Sequence, residues 1–247
     1  MEYFGRKAAD DALLEHIRAK GNVTIIEDRT HNLIRESESC FHPDYTVASL
    51  RKWLPVPDGG LLWGRIIRPF STDTSFSGER LRAQCMRHRY LQCGDETIKT
   101  EYRKIFSEVS DIMDRDAPSA MSAYSYALAE KADWAKIRSV RRENAEALIS
   151  ILRESPYITF IQENPGFSDL YVPFTVNHRD DIQARLSAEG IFNTVIWPIS
   201  DAQGKACDVA LYTTQHMLAA PCDQRYTVED MVYIGKEIVR VTADVNR

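Results

Sequence analysis

Apolar positions along the chain follow two rhythms. Between Ala8 and Lys20, the residues Ala8, Ala12, Leu13 and Ile17 recur at helical spacing with polar residues between them, and Gly21 follows, which predicts a helix that stops at that glycine. Val23-Thr24-Ile25-Ile26 is then a short β-branched run, and Tyr45-Thr46-Val47-Ala48-Ser49 has the same character. Both read as buried parallel strands, with Glu27 and Asp28 at the carboxyl end of the first and Ser49 at that of the second. The Gly59-Gly60 pair opens Leu61-Leu62-Trp63, a third short strand expected to run back beside the others. Ser77 to Asp111 carries spaced apolar residues among Arg, Lys and Glu and reads as helices. Ser122 to Leu152 is a further helical stretch with a break near Asp133. From about Tyr157 the pattern alternates, with a strand at Tyr171 to Val176 and helices at Asp180 to Glu189 and Val228 to Val239, as in an α+β lobe. No internal repeat or low-complexity tract interrupts this, and the expected hinge lies at Arg153 to Pro156.

Composition narrows the class. The 247 residues are 44% hydrophobic and 27% charged, with net charge -5, which describes an ordinary soluble chain large enough for a core and two lobes. Nothing in it calls for nucleic acid or a membrane. No apolar stretch approaches the roughly 18 residues of a membrane span, and Met1-Glu2-Tyr3 lacks the basic and apolar regions of a signal peptide, so the cytoplasm is the expected compartment. Five cysteines, an odd number, are scattered at Cys40, Cys85, Cys93, Cys207 and Cys222, which argues against a disulfide framework. Cys85, His88 and Cys93 offer only three ligands in a helical, Arg-rich stretch where structural zinc takes four, and no metal is expected.

Lys52 and Asp28 carry the candidate chemistry. Lys52 sits in Ser49-Leu50-Arg51-Lys52-Trp53-Leu54-Pro55-Val56-Pro57-Asp58-Gly59-Gly60, shortly after the strand that ends in Asp28. Ligands of open α/β sheets bind at the carboxyl edge of the strands, where both residues would emerge. A lysine amine and a strand-end carboxylate are the two groups that pyridoxal phosphate needs, one to hold its aldehyde as a Schiff base and one to keep its pyridine nitrogen protonated.

At these residues the chain resembles the DegT/StrS-like pyridoxal-phosphate aminotransferases, which act largely on keto sugars attached to nucleotides. Ile25-Ile26-Glu27-Asp28-Arg29-Thr30-His31 is similar to the family's strand-end motif, and the segment from Ser49 to Gly60 is similar to its lysine segment. The resemblance makes Lys52 the Schiff-base lysine, places Asp28 against the pyridine nitrogen and His31 near the ring hydroxyl, and assigns Ser49 to the phosphate. Arg141-Arg142-Glu143-Asn144 with Ala147, Leu148 and Leu152 resembles the helix before the family's small domain, Ile191 to Pro198 a strand beyond a turn, and Ala220 to Tyr226 the approach to the last helix. The stretch from Ile66 to Ala117 matches poorly. Arg225 stays outside the expected site, since a surface ion pair explains it as well as a substrate carboxylate does.

The resemblance implies an α/β chain of the fold type I (aspartate aminotransferase-like) class, with a partial, mostly parallel large domain at residues 1–152 and a small α+β domain at 153–247. It implies transfer of an amino group from a donor such as glutamate to a keto sugar nucleotide or related intermediate, and an active site at a homodimer interface. In relatives a longer part precedes the equivalent of Tyr3-Phe4-Gly5, so the chain reads as the back two-thirds of such an enzyme. A second expectation therefore stands beside the first: an inactive truncated scaffold, or one subunit of a split aminotransferase whose N-terminal half is encoded separately.

Overall fold

The computed structural model of the chain describes residues 3–5, 9–34, 42–64, 75–115, 119–161, 169–200 and 207–247. It divides into two compact units, the first comprising Ala9–Thr30 and Ser39–Ala132, the second Glu2–Ala8, His31–Glu38 and Asp133–Arg247.

In the first unit, α1 (Asp11–Ala19) begins at Asp10, whose carboxylate accepts the Leu13 amide at 2.7 Å, and ends before Gly21, which takes φ +74°. β1 (Ile26–Asp28) lies parallel to β2 (Tyr45–Ser49), and β2 pairs antiparallel with β3 (Gly60–Gly64), in the sheet order β1-β2-β3. The apolar run 23–26 becomes strand only at its last residue. The Asp44 carboxylate accepts the Ile25 amide and the Asp44 amide donates to the Ile25 carbonyl, both at 2.9 Å, so pairing with β2 starts there and Val23 and Ile26 remain exposed. β1 is thus an edge strand and not a central one. Helices α2 (Ser75–Cys93) and α3 (Glu96–Arg115) turn at Gly94 and pack through Ala83, Tyr102, Ile105 and Val109. The short α4 (Ala123–Lys131) is capped by Ser122.

The second unit starts at Asp133, whose side chain accepts the Lys136 amide at 2.9 Å and opens α5 (Trp134–Leu152), so the expected helix break at this residue is a cap. Strands β4 (Thr159–Phe160), β5 (Tyr171–Thr175) and β6 (Met217–Pro221) form an antiparallel sheet in that order. α6 (Arg179–Ala188), α7 (Asp208–His216) and α8 (Val228–Asn246) complete the lobe, α8 opening on a reciprocal Thr227/Asp230 capping box. Leu148, Leu152, Phe174, Ile182, Leu186, Leu218, Met231 and Ile238 are its fully buried centre. Gly235 lets α8 approach α5, because a Cβ there would come within 2.9 Å of Ile151 Cβ. The strand expected at Ile191 to Pro198 is reduced to one bridge, Thr194 to Ala219, and the positive φ of Trp197 (49°) breaks the extended backbone soon after. Among the described residues no helix is long and apolar enough to cross a membrane.

Candidate active site

Lys52 closes a short 3-10 turn, Leu50–Lys52, that follows directly on β2. The Trp53 and Leu54 amides both donate to the Leu50 carbonyl at 2.9 Å, and Leu50, Trp53, Leu54 and Val56 are buried, so the loop is anchored by apolar side chains on each side of the lysine. Gly59 and Gly60 bring it back to the sheet. Gly59 takes φ +109° and its carbonyl accepts the Leu50 amide at 3.2 Å, while Gly60 pairs with Ser49 where a Cβ would sit 3.2 Å from the Ala48 carbonyl. The glycine pair is what permits a hairpin with a lysine-bearing loop.

Parallel pairing of Asp28 with Val47 puts the carboxyl ends of β1 and β2 at one edge of the sheet. The chain leaving β1 is then stitched to the lysine segment: Arg29 N–H donates to the Val47 carbonyl (2.8 Å), Ser49 N–H to Thr30 Oγ1 (3.1 Å) and Trp53 Nε1–H to the Thr30 carbonyl (2.8 Å). Asp28 Oδ1 accepts the Thr30 amide at 2.8 Å, which fixes the carboxylate at the strand end. Asp28, Ser49 and the turn that ends in Lys52 are therefore gathered at this edge.

The local electrostatics suit a reactive amine. The Lys52 side chain is exposed, and partial desolvation beside the buried Leu50 and Trp53, with the Arg51 charge second, inclines its pKa below the ordinary lysine value. That raises the share of neutral, nucleophilic amine at a given pH. Arg51 and Arg80 are lowered by burial in the same way, and the Arg51 charge lowers Arg80 further.

A group absent from the sequence-based set dominates the end of the loop. Asp58 is buried and accepts hydrogen bonds from Ser77 Oγ (2.5 Å), the Ser122 amide (2.8 Å), Ser122 Oγ (2.9 Å) and Ser125 Oγ. Burial alone would push this carboxyl up, but the bonds from Ser125, Ser77 and Ser122 outweigh it and hold it below its ordinary value. Its place just before the Gly-Gly pair was the only local signal.

His31 lies in the second unit, fully buried, with Nδ1 accepting the Phe4 amide at 3.4 Å. Its ring stands 4.7 Å from that of Trp197, 5.6 Å from Phe4 and 6.3 Å from Tyr171, and Tyr3 meets Trp197 edge-on at 4.8 Å. Arg225 is bound through two nitrogens to the Asp223 carboxylate, at 2.7 and 2.8 Å. Arg141 is buried and donates to Gln224 Oε1 (2.7 Å) and the Asp169 carbonyl (3.1 Å), holding the approach to α8. Cys85 and Cys93 are exposed on α2, and among the described residues no three His, Cys, Asp or Glu side chains gather as metal ligands.

Comparison with solved structures identifies the architecture. A putative sugar aminotransferase from Streptococcus pneumoniae, in its apo form, superposes with TM-score 0.64 at 15% identity over 99% of this chain and 67% of its own. A DegT DnrJ EryC1 StrS aminotransferase from Brucella abortus gives 0.58 at 15% identity, over 98% and 63%. The Helicobacter pylori aminotransferase PseC, involved in the biosynthesis of pseudoaminic acid, gives 0.60 at 12%, over 98% and 66%. The fold is that of the fold type I aminotransferases. This chain spans about two-thirds of the length of these proteins, from 63% to 67%. No protein-family model matches the chain, and no curated protein matches it by sequence. The first unit carries the sheet edge with the Lys52 turn, and the second is an α+β lobe.

Proposed function

We propose that the chain acts as a pyridoxal-phosphate-dependent aminotransferase, moving an amino group from an amino-acid donor such as glutamate to a keto sugar nucleotide or a related intermediate. The observation that carries this reading is the gathering of Asp28 and the Lys52 turn at one sheet edge, in the fold of sugar aminotransferases. The residues present fit the cofactor: a lysine amine on the turn that follows β2, a strand-end carboxylate fixed by the Thr30 amide, and a serine beside the turn.

Pyridoxal phosphate, when bound, supplies a carbonyl carbon for amines and a ring that draws electrons from the substrate α-carbon. With the cofactor bound, Lys52 would hold it through its amine and would serve as the base for the donor's α-proton. Asp28 would keep the pyridine nitrogen protonated, and Ser49 would help hold the phosphate. His31 enters the proposal on the resemblance alone, near the ring hydroxyl.

A second reading has its own support. Ile26 on β1 and Trp63 on β3 are 59% and 47% exposed on the two edge strands of the first sheet, as on a surface that a partner covers. A homodimer would cover it in the active reading. A separately encoded segment would do so if the chain is an inactive scaffold or one subunit of a split aminotransferase.

One experiment separates the readings. Pyridoxal phosphate is added to the full chain, the visible absorbance is followed, and L-glutamate is then added with 2-oxoglutarate as the readout. The active reading expects a new band, its shift on adding glutamate, and stoichiometric 2-oxoglutarate, all absent in Lys52→Ala. A band without 2-oxoglutarate supports the scaffold or subunit reading, and no band in the wild type overturns the proposal.

A further inference from the structure

Among the described residues of the first unit, one carboxylate outside the expected site receives four hydrogen bonds. Asp58 belongs to the same loop as Lys52, between the buried Val56 and the Gly59-Gly60 return to β3. Its partners come from far along the chain: Ser77 on the first turn of α2, and Ser122 with Ser125 at the start of α4. Ser122 Oγ accepts the Ser125 amide as the α4 N-cap while donating to Asp58 Oδ1, so the carboxylate completes that cap and adds a negative charge at a helix N-terminus. α2 grips the loop a second time through Gln84, whose side-chain amide donates to the Val56 carbonyl at 3.1 Å. Ser77 and Gln84 are two helical turns apart on one face of α2, the spacing of a helix laid along the loop.

We infer that Asp58 is a positioning residue for Lys52: by tying the far end of the lysine loop to α2 and to the α4 cap, it holds the Leu50–Lys52 turn, and with it the lysine, at the sheet edge. This rests on the reading of Lys52 as the reactive lysine. The clamp works through geometry and not through charge, and the two are opposite in sign. A nearby carboxylate favours a protonated lysine, so loss of its charge alone lowers the lysine pKa. Loss of the clamp loosens the turn and opens the lysine further to water, which raises it.

The test needs no cofactor. The full chain is labelled with trace acetic anhydride from pH 6 to 11, and the acetylation of each lysine is followed by peptide mass mapping. Nα-acetyl-lysine in the same solution serves as the reference amine. In the wild type Lys52 is expected to titrate below it. In Asp58→Asn, and in a Ser77→Ala/Ser125→Ala double variant that keeps the charge but removes two of its bonds, Lys52 is expected to move up to the reference curve, losing several-fold in relative labelling near neutral pH. A downward move in Asp58→Asn, or an unchanged Lys52 in the serine variant, overturns the inference. Should Asp58→Asn not fold, the serine variant decides alone. Cofactor loading is measured separately in the wild type, so its failure would count against the lysine's chemistry and leave the positioning result standing.

Discussion

In the second unit Leu148, Leu152, Phe174, Ile182, Leu186 and Leu218 have no exposed surface at all, whereas among the strand residues of the first unit's sheet only Ala48 is buried. The second unit is held by apolar burial, at about 25 cal/mol for each Å² removed from water. The first adds directed polar bonds to the buried apolar anchors of its lysine loop, with Thr30 joining β1 to the loop and Asp58 joining the loop to two helices. The candidate site thus sits where order depends on charge and hydrogen bonding.

That contrast can be broken from either side. The largest effect is expected for Phe174→Ala, which should cost the second unit about 3–5 kcal/mol through the cavity it leaves. Hydrogen exchange should show protection lost in β5, β6 and α8 while amides of the lysine loop keep theirs. Asp58→Ala should act in the mirror sense, costing about 1–3 kcal/mol because buried serine donors lose their acceptor, with exchange rising in residues 50–59 and at the start of α4.

Acidity should separate the units more gently. Asp58 lies below its ordinary value in the folded state, so its contribution is complete above the unfolded carboxylate pKa and is lost as pH falls through the folded one. Asp169 in the second unit is raised by burial, against the bond from Arg142, so its contribution is present at low pH and lost as pH rises through its folded value. Acidification from pH 7 to pH 3 should therefore raise exchange around Asp58 while that around Asp169 stays level or falls. The smallest effect is expected for Arg240→Ala, which removes exposed bonds to Glu189 and Glu237 and should leave the thermal midpoint of the second unit nearly unmoved.

Much of this architecture is legible in the chain because its signals are local. β2, the glycine return, the Asp133 cap and the helices of the second unit follow from periodicity and from residues a few places away. The run at 23–26 misleads because its apolarity says nothing of its being at a sheet edge, where Asp44 decides how much of it pairs. Ile191 to Pro198 misleads because a single left-handed residue, Trp197, ends an otherwise strand-like pattern. Asp28 and Ser49 could be placed at one edge from the parallel-strand reading alone. The role of Asp58 could not, since its partners lie 19, 64 and 67 residues away and become neighbours only when α2 and α4 pack. For His31 the spacing from Asp28 is visible in sequence, but the rings that surround it come from positions 4, 171 and 197.

The central claim is that Lys52 is the reactive lysine of a fold type I aminotransferase site. Borohydride reduction of the full chain after addition of pyridoxal phosphate, followed by peptide mass mapping, tests it most directly. A single reduced adduct on the peptide that contains Lys52 is the predicted result; adducts spread over surface lysines such as Lys104 and Lys136, with none at Lys52, would contradict it.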